Sequence, residues 1–164
     1  MEYWKFKTND IFLSKAKKYI SKSINYTKID EKFNIISKTS FYSDNSVLEN
    51  LYKKYLEKQY NEKIYKECGR TTKLCNIWYQ VYEANTNSSH EFHGHDDCSF
   101  ANVVYISLPN KELITEFIYM NSLVKPDVDE GDTLIFYPKL LHRSLPNYTE
   151  SDKIVISFNT DLIV

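Results

Sequence analysis

From about residue 73 the chain becomes a series of short runs rich in β-branched and aromatic residues: CNIWYQVYE, ANVVYIS, ELITEFIYM, DTLIFY and KIVISFN. Each has the length and composition of a strand. The segments NTNSS, LPN, KPDVDEGD and LPNYTESD between them carry turn-forming residues. Strands of this kind bury their apolar faces by stacking one sheet on another or by closing into a barrel.

The first half has a different period. Ile11, Phe12, Ala16, Tyr19 and Ile20 recur at helical spacing within a basic amphipathic stretch, residues 11–24. We read it as a helix whose apolar face packs on the domain and whose lysines face water. A second helix is expected from Ser46, where S-V-L-E has the form of a capping box. Its apolar face would be Val47, Leu48, Leu51, Tyr55 and Leu56, and KFNIISKTSFY before it is expected to hold a short strand. These elements predict one α+β domain over 1–164. A helical buttress, about 1–70, would cover one sheet of a β-sandwich or barrel, about 73–162.

All four histidines lie in two of the later segments. His90, His93 and His95 sit in HEFHGHDDCSF, and His142 in FYPKLLHRSLPN. Residues at i and i+2 of a strand share a face, so His93 and His95 can converge on one ion while His142 arrives from another strand. Two ligand sets fit this spacing. One is His93, His95 and His142. The other is His95, Asp97 and His142, two histidines and a carboxylate with open positions for oxygenase chemistry. Glu91, His93, His95 and Asp97 share strand parity, so spacing does not choose. Gly94 would let the backbone run close to a neighbouring strand, and His90 reads as a supporting or loop residue.

In KIVISFN, Lys153, Val155, Ser157 and Asn159 share one face, and Ile154, Ile156 and Phe158 the other. The second face suits packing under helices. The first suits a polar ligand inside a barrel, with the Lys153 ammonium paired to a carboxylate in a partly dry cavity. Arg143 follows His142 and should point to the opposite face.

Composition narrows the function classes. Three glycines, in no GxGxxG or Walker pattern, argue against a Gly-rich phosphate loop. A net charge of −1 without a basic aromatic stripe argues against nucleic acid as partner. The cysteines, Cys68, Cys75 and Cys98, are odd in number and form no CxxC. They suggest a reducing, cytoplasmic setting rather than a disulfide framework. We read Cys98 as packing. MEYWKFKTNDIFLSKAKKYI lacks an apolar run, so neither a signal peptide nor a membrane span is expected.

Together these segments resemble the 2-oxoglutarate- and Fe(II)-dependent oxygenase superfamily, most of all a small branch found in bacteria and their phages. That branch runs as a Trp-bearing strand, H-x-H-P, S-G-V-Y-Y, G-x-L-x-x-F-P-S-x-L-x-H and R-x-S-x-S-F-N. The matching residues here are Trp78, His93-Gly94-His95, Val103-Val104-Tyr105, then Gly131, Leu134, Pro138, Leu141 and His142, and last Lys153 with Ser157-Phe158-Asn159. The ordered set spans about residues 76–160.

The resemblance implies a double-stranded β-helix (a jelly-roll, cupin-like barrel) with the N-terminal helices on one sheet. It also implies Fe(II), 2-oxoglutarate as cosubstrate and O2. Metal ligands would be His93, His95 and His142, with Asp97 the alternative. Lys153 would hold the far carboxylate of 2-oxoglutarate, with Ser157, Asn159, Tyr79 and Tyr105 around the cosubstrate. The implied activity is a dioxygenase, a hydroxylase of an amino-acid or peptidyl substrate, with loops 85–92 and 125–132 flanking the mouth.

Five positions depart from the pattern. Asp96 replaces Pro, Ala101-Asn102 replaces Ser-Gly, Lys153 replaces Arg, and Val155 replaces Ser. Lys153 reads as a working substitute, since collagen-type prolyl hydroxylases use lysine there. The departures keep two other readings in play: a cupin-like metal enzyme that does not use 2-oxoglutarate, and a non-catalytic binding protein on a degenerate oxygenase fold.

Overall fold

The computed structural model describes residues 3–23, 28–30 and 35–163. Three helices, α1 (Asp10–Ser23), α2 (Ser46–Tyr55) and α3 (Glu57–Cys68), precede most of the strands. The strands are β1 (Tyr3–Lys7), β2 (Lys28–Asp30), β3 (Ile35–Thr39), β4 (Thr72–Tyr82), β5 (His90–His93), β6 (Phe100–Ser107), β7 (Glu116–Tyr119), β8 (Ser122–Val124), β9 (Asp132–Phe136), β10 (His142–Ser144) and β11 (Lys153–Leu162). They pair antiparallel in the order β1-β9-β6-β11-β4-β3-β5-β10-β7-β8, with β2 beside β3.

Strand parity divides the core in two. Ile77, Tyr79 and Val81 of β4 and Ile156 and Phe158 of β11 face the helices, against Phe12, Ala16 and Ile20 of α1, Leu48 and Tyr52 of α2, and Tyr60 and Ile64 of α3. The alternate residues point into the barrel. There Tyr82, Val103, Tyr105, Leu134, Phe136 and Val155 meet Phe117 of β7. A β7 side chain packed on residues of β6, β9 and β11 means that the sheet has folded over itself. The result is an α+β double-stranded β-helix with helices on one sheet.

The helix-side core is aromatic at its centre. Phe158 is fully buried, with the Tyr52 and Tyr60 rings each 5.2 Å from its own. Phe158→Ala is therefore expected to lower unfolding stability by about 3–5 kcal/mol, measured by urea denaturation with an unchanged m-value.

Several local expectations are corrected. The capping box does not form, because Ser46 is already the first helical residue and Asn45 occupies the cap position without a side-chain cap bond. The Asn45 amide is instead engaged with Ser40, and Asp44 accepts the Ser46 N–H. The second helix stops at Tyr55 and a further helix, α3, follows after Leu56. Only Tyr60 and Ile64 anchor α3 in the core, too sparse an apolar stripe to mark it in the sequence. Gly69, at φ 71°, ends it in the left-handed conformation that glycine adopts without strain.

The ELITEFIYM run is not one strand. It yields a 3-10 turn (Lys111–Leu113), then β7, then a tight hairpin through Met120 and Asn121, both at positive φ, into β8. The N-terminal strand β1, zipped along β9, was not expected. Of the expected strand KFNIISKTSFY, β3 is present, while residues 32–34 lie outside the described residues, as does the last residue of the helix expected at 11–24.

Candidate metal centre

Three histidines converge at one end of the barrel. His93, the last residue of β5, and His142, the first of β10, are direct cross-strand partners. His95 lies beyond β5, so strand parity does not place it. Its backbone N–H donates to the Pro138 carbonyl at 2.8 Å, which folds the segment back over the loop before His142. Gly94 makes this approach possible, since a Cβ there would lie 3.3 Å from the Pro138 oxygen. Gly94→Val should displace His95 and weaken metal binding by roughly tenfold or more. Metal titration of the folded variant checks this.

One ligand atom from each of His93, His95 and His142 lies within 4.8 Å of the other two, the only such group of His, Cys, Asp or Glu among the described residues. Two tautomers are set by the backbone. Nδ1 of His93 lies 2.8 Å from the Glu91 carbonyl, and Nδ1 of His142 lies 2.8 Å from the Leu140 carbonyl. A carbonyl only accepts, so each Nδ1 carries the proton and donates it. Each Nε2 is left with a lone pair, as a metal requires.

Burial also holds these rings neutral. It drives His142 well below its ordinary value and His95 down to about 4, with the neighbouring imidazoles adding to the effect. His93 is lowered by burial as well. The Phe136 ring packs edge-on against His142 at 4.7 Å. Neutral, clustered, pre-oriented imidazoles in a partly dry site suit a divalent transition metal.

The alternative ligand Asp97 is exposed and outside this group, because β5 ends at His93 and the chain bends through Asp96 and Asp97. His90 stacks on His93 at 3.6 Å between ring centroids and receives the Gln80 amide at Nδ1, 3.4 Å away. It stands beside the triad and is not part of it.

A narrow polar cavity runs inward from the histidines along β4 and β11. Trp78, Gln80 and Tyr82 of β4 and their cross-strand partners Ser157, Val155 and Lys153 of β11, with Asn159, line one wall. Its free volume is about 40 Å³, room for a water or two. At its inner end Lys153 is 1% exposed, donates to the Ser144 hydroxyl at 2.6 Å and lies over the Tyr82 ring at 4.8 Å. No carboxylate forms a salt bridge with it among the described residues. Burial alone drives its pKa down from 10.5 to about 7. A buried cation without a counter-ion among the described residues is costly.

Two residues expected around the cosubstrate are elsewhere. Tyr79 faces the helices, edge-on to Tyr19, because it has the opposite parity to Trp78 and Gln80. Tyr105 is buried in the barrel interior but does not line the cavity. Its hydroxyl donates to Thr115, which does. Gln80, Tyr82, Thr115 and Ser144 were not singled out in the sequence. Once Trp78 is placed inward, the i+2 rule would have named Gln80 and Tyr82; nothing local marks the other two. Arg143 is bound by both Nε and NH2 to Glu116 and carries no free charge. Half-buried Cys98 has its thiol pushed up by burial to about 11, in keeping with packing.

Of the two loops expected at the mouth, 85–92 reaches it through His90, which lines both the inner cavity and the rim, and 125–132 is elsewhere. Residues 125–132 lie along β1, where Asp127 pairs with Lys5 and Asp132 with Lys7. Residues 85 and 86 are tied by backbone bonds to 149 and 147. The rim beside the histidines is built from Thr39, Phe41 and Tyr42.

Comparison with known proteins places this geometry in context. No family profile and no curated protein matches the sequence. Among solved structures, the viral collagen prolyl hydroxylase of Paramecium Bursaria Chlorella virus-1, in complex with 2-oxoglutarate, is 17% identical with a TM-score of 0.62. The match covers 100% of this chain and 97% of that one. EctD from S. alaskensis, with 2-oxoglutarate and 5-hydroxyectoine, is 11% identical with a TM-score of 0.72, covering 97% and 71%. HygX from Streptomyces hygroscopicus, with nickel, 2-oxoglutarate and hygromycin B, is 12% identical with a TM-score of 0.68, covering 97% and 82%. At these identities the likeness is one of fold.

Proposed function

We propose that this chain is an Fe(II)- and 2-oxoglutarate-dependent dioxygenase acting as a hydroxylase on an amino-acid or peptidyl substrate. The observation that carries the reading is a buried lysine, without a counter-ion among the described residues, in the same cavity as three clustered, neutral histidines. The neighbours that bind 2-oxoglutarate support it. A metal enzyme with no anionic cosubstrate would leave Lys153 without a task. Three cysteines free of disulfides suit action in a reducing cytoplasm, and no helix among the described residues is long and apolar enough to cross a membrane.

Each residue has a definite part in this reading. His93, His95 and His142 would hold the metal through Nε2 lone pairs on His93 and His142, with His95 as third donor. Lys153 would pair with the far carboxylate of 2-oxoglutarate, turning its ammonium from Ser144 to the ligand. Ser157 and Asn159, on the same face of β11, would hydrogen-bond that end. The narrow cavity means that the Lys153, Gln80 and Asn159 side chains make way as the cosubstrate enters. Fe(II) bound there supplies the centre at which O2 is reduced. Overall, a substrate C–H, O2 and 2-oxoglutarate become C–OH, succinate and CO2. One oxygen atom goes to the substrate and one to succinate.

The test is anaerobic addition of Fe(II) and then 2-oxoglutarate, watching for the weak visible charge-transfer band of the bidentate chelate. Its appearance in wild type and loss in Lys153→Ala supports the reading. A folded wild type that shows no band sinks it.

The Lys153 pKa also sets a pH dependence. In the free protein Lys153 is protonated below about pH 7 and neutral above it, whereas the bound carboxylate holds it protonated. Binding above pH 7 must therefore take up a proton. The Kd for 2-oxoglutarate should be flat just below pH 7 and rise about tenfold per pH unit above it, as isothermal titration from about one unit below to about two units above that midpoint would show.

A further inference from the structure

A second recess opens directly outside the histidines and has a different chemistry. It lies where β3 leaves the sheet after Thr39, between β4 and β5. Phe41, Tyr42, Trp78 and Gln80 wall it, and His93 and His95 form its inner boundary. The Phe41 ring meets the Tyr42 and Trp78 rings edge-on, each at 5.0 Å. Trp78 is almost buried, whereas Phe41 is 45% and Tyr42 63% exposed. Adjacent exposed aromatics on a short connection beside a reactive centre gain from being covered.

What the recess lacks identifies what it takes. No Lys, Arg, Asp or Glu lines it among the described residues. A free amino acid would hold an ammonium and a carboxylate within a few ångströms of its side chain, at a rim with no charged group to pair either, and drawing the side chain in would cost part of their hydration, a larger penalty than for neutral amides. Lys153 cannot serve, because it belongs to the separate inner cavity, and Arg143 is held by Glu116. A charged side chain would meet the same penalty. An aliphatic group on an amide-linked chain would not: its backbone dipoles can remain at the open rim while its C–H groups lie against the ring faces. The recess measures about 320 Å³, at the small end of ligand pockets. It has room for one such side chain with flanking backbone.

We infer that this recess is the substrate subsite, and that it takes an uncharged aliphatic side chain presented within a peptide and not a free amino acid. The inference rests on the hydroxylase reading and narrows its substrate class.

The test uses capped pentapeptides, acetyl-Gly-Gly-X-Gly-Gly-amide, with X as Val, Leu, Ile, Pro, Lys or Glu, and the matching free amino acids. Binding to the full chain is measured by ligand-observed NMR without added metal, and the mass of X after incubation with Fe(II), 2-oxoglutarate and O2. Expected is binding of the aliphatic peptides, a gain of one oxygen atom on X, and binding at least tenfold weaker for Lys and Glu peptides and for all free amino acids. Phe41→Ser, at an exposed position, should weaken the aliphatic peptides at least tenfold. The inference is overturned if free amino acids or charged peptides bind as well as aliphatic ones, if no peptide binds, or if Phe41→Ser binds like wild type. Because binding is read without metal, these failures are separable from failure of the hydroxylase reading, which shows as a missing Fe(II)–2-oxoglutarate band.

Discussion

Lys153→Met is expected to make the protein more stable while abolishing 2-oxoglutarate binding. The wild-type lysine is fully buried and its pKa falls from 10.5 unfolded to about 7 folded, through desolvation. Between those values the unfolded chain holds more protons than the folded one, so wild-type stability rises with pH across that window. Below pH 7 the full cost of a buried charge is present. The Ser144 hydrogen bond and the Tyr82 ring face offset part of it. A methionine of similar length removes the charge and keeps the packing. A gain of about 1–4 kcal/mol at pH 7 follows, fading towards pH 10.5. Thermal denaturation at pH 7 and pH 10 measures it. Under the proposed function binding should fail in the same variant, because the charge proposed to pair with the far carboxylate is gone. A destabilised Lys153→Met that still binds 2-oxoglutarate would mean that Lys153 is structural. More stability together with lost binding would be the exchange of stability for function expected of a ligand-recognising residue.

His142→Ala and Asp97→Asn should separate completely. His142 is buried, its tautomer is fixed by the Leu140 carbonyl, and its cross-strand partner is His93. Its removal leaves two donors and a void, and Fe(II) affinity should fall by about 10²-fold or more; loss of outer-shell partners alone costs 10–100-fold. Asp97→Asn alters an exposed carboxylate outside the cluster, so affinity should stay within about twofold on the same physical grounds. Equilibrium titration with Fe(II), or Co(II) as a spectroscopic substitute, reads both. Loss of binding in Asp97→Asn would show that the segment after His95 rearranges around the metal to bring a carboxylate in.

The two variants also mark where local reasoning stops. The alternation of β11 is a property of the covalent chain. Any strand through KIVISFN sends Lys153, Val155, Ser157 and Asn159 one way and Ile154, Ile156 and Phe158 the other, and the structure has them so. The same rule applied to β4 would have put Tyr79 against the helices, since Trp78 and Gln80 face the cavity. The resemblance had set it beside the cosubstrate.

The sequence by itself determined the change from helix to strand near residue 73, the inward face of β11 and the concentration of histidines in two segments. These follow from side-chain periodicity, which each residue inherits from its immediate neighbours. Only the tertiary structure decided that His93 and not Asp97 clusters with His95 and His142, that Lys153 has no counter-ion among the described residues, and that Phe41 and Tyr42 form the rim. The position of His95 hangs on the Pro138 carbonyl, and that of Lys153 on Ser144 and Tyr82. Contacts between segments far apart in the chain leave no local period to read. They are fixed only when the sheet folds over and burial selects which polar groups must meet.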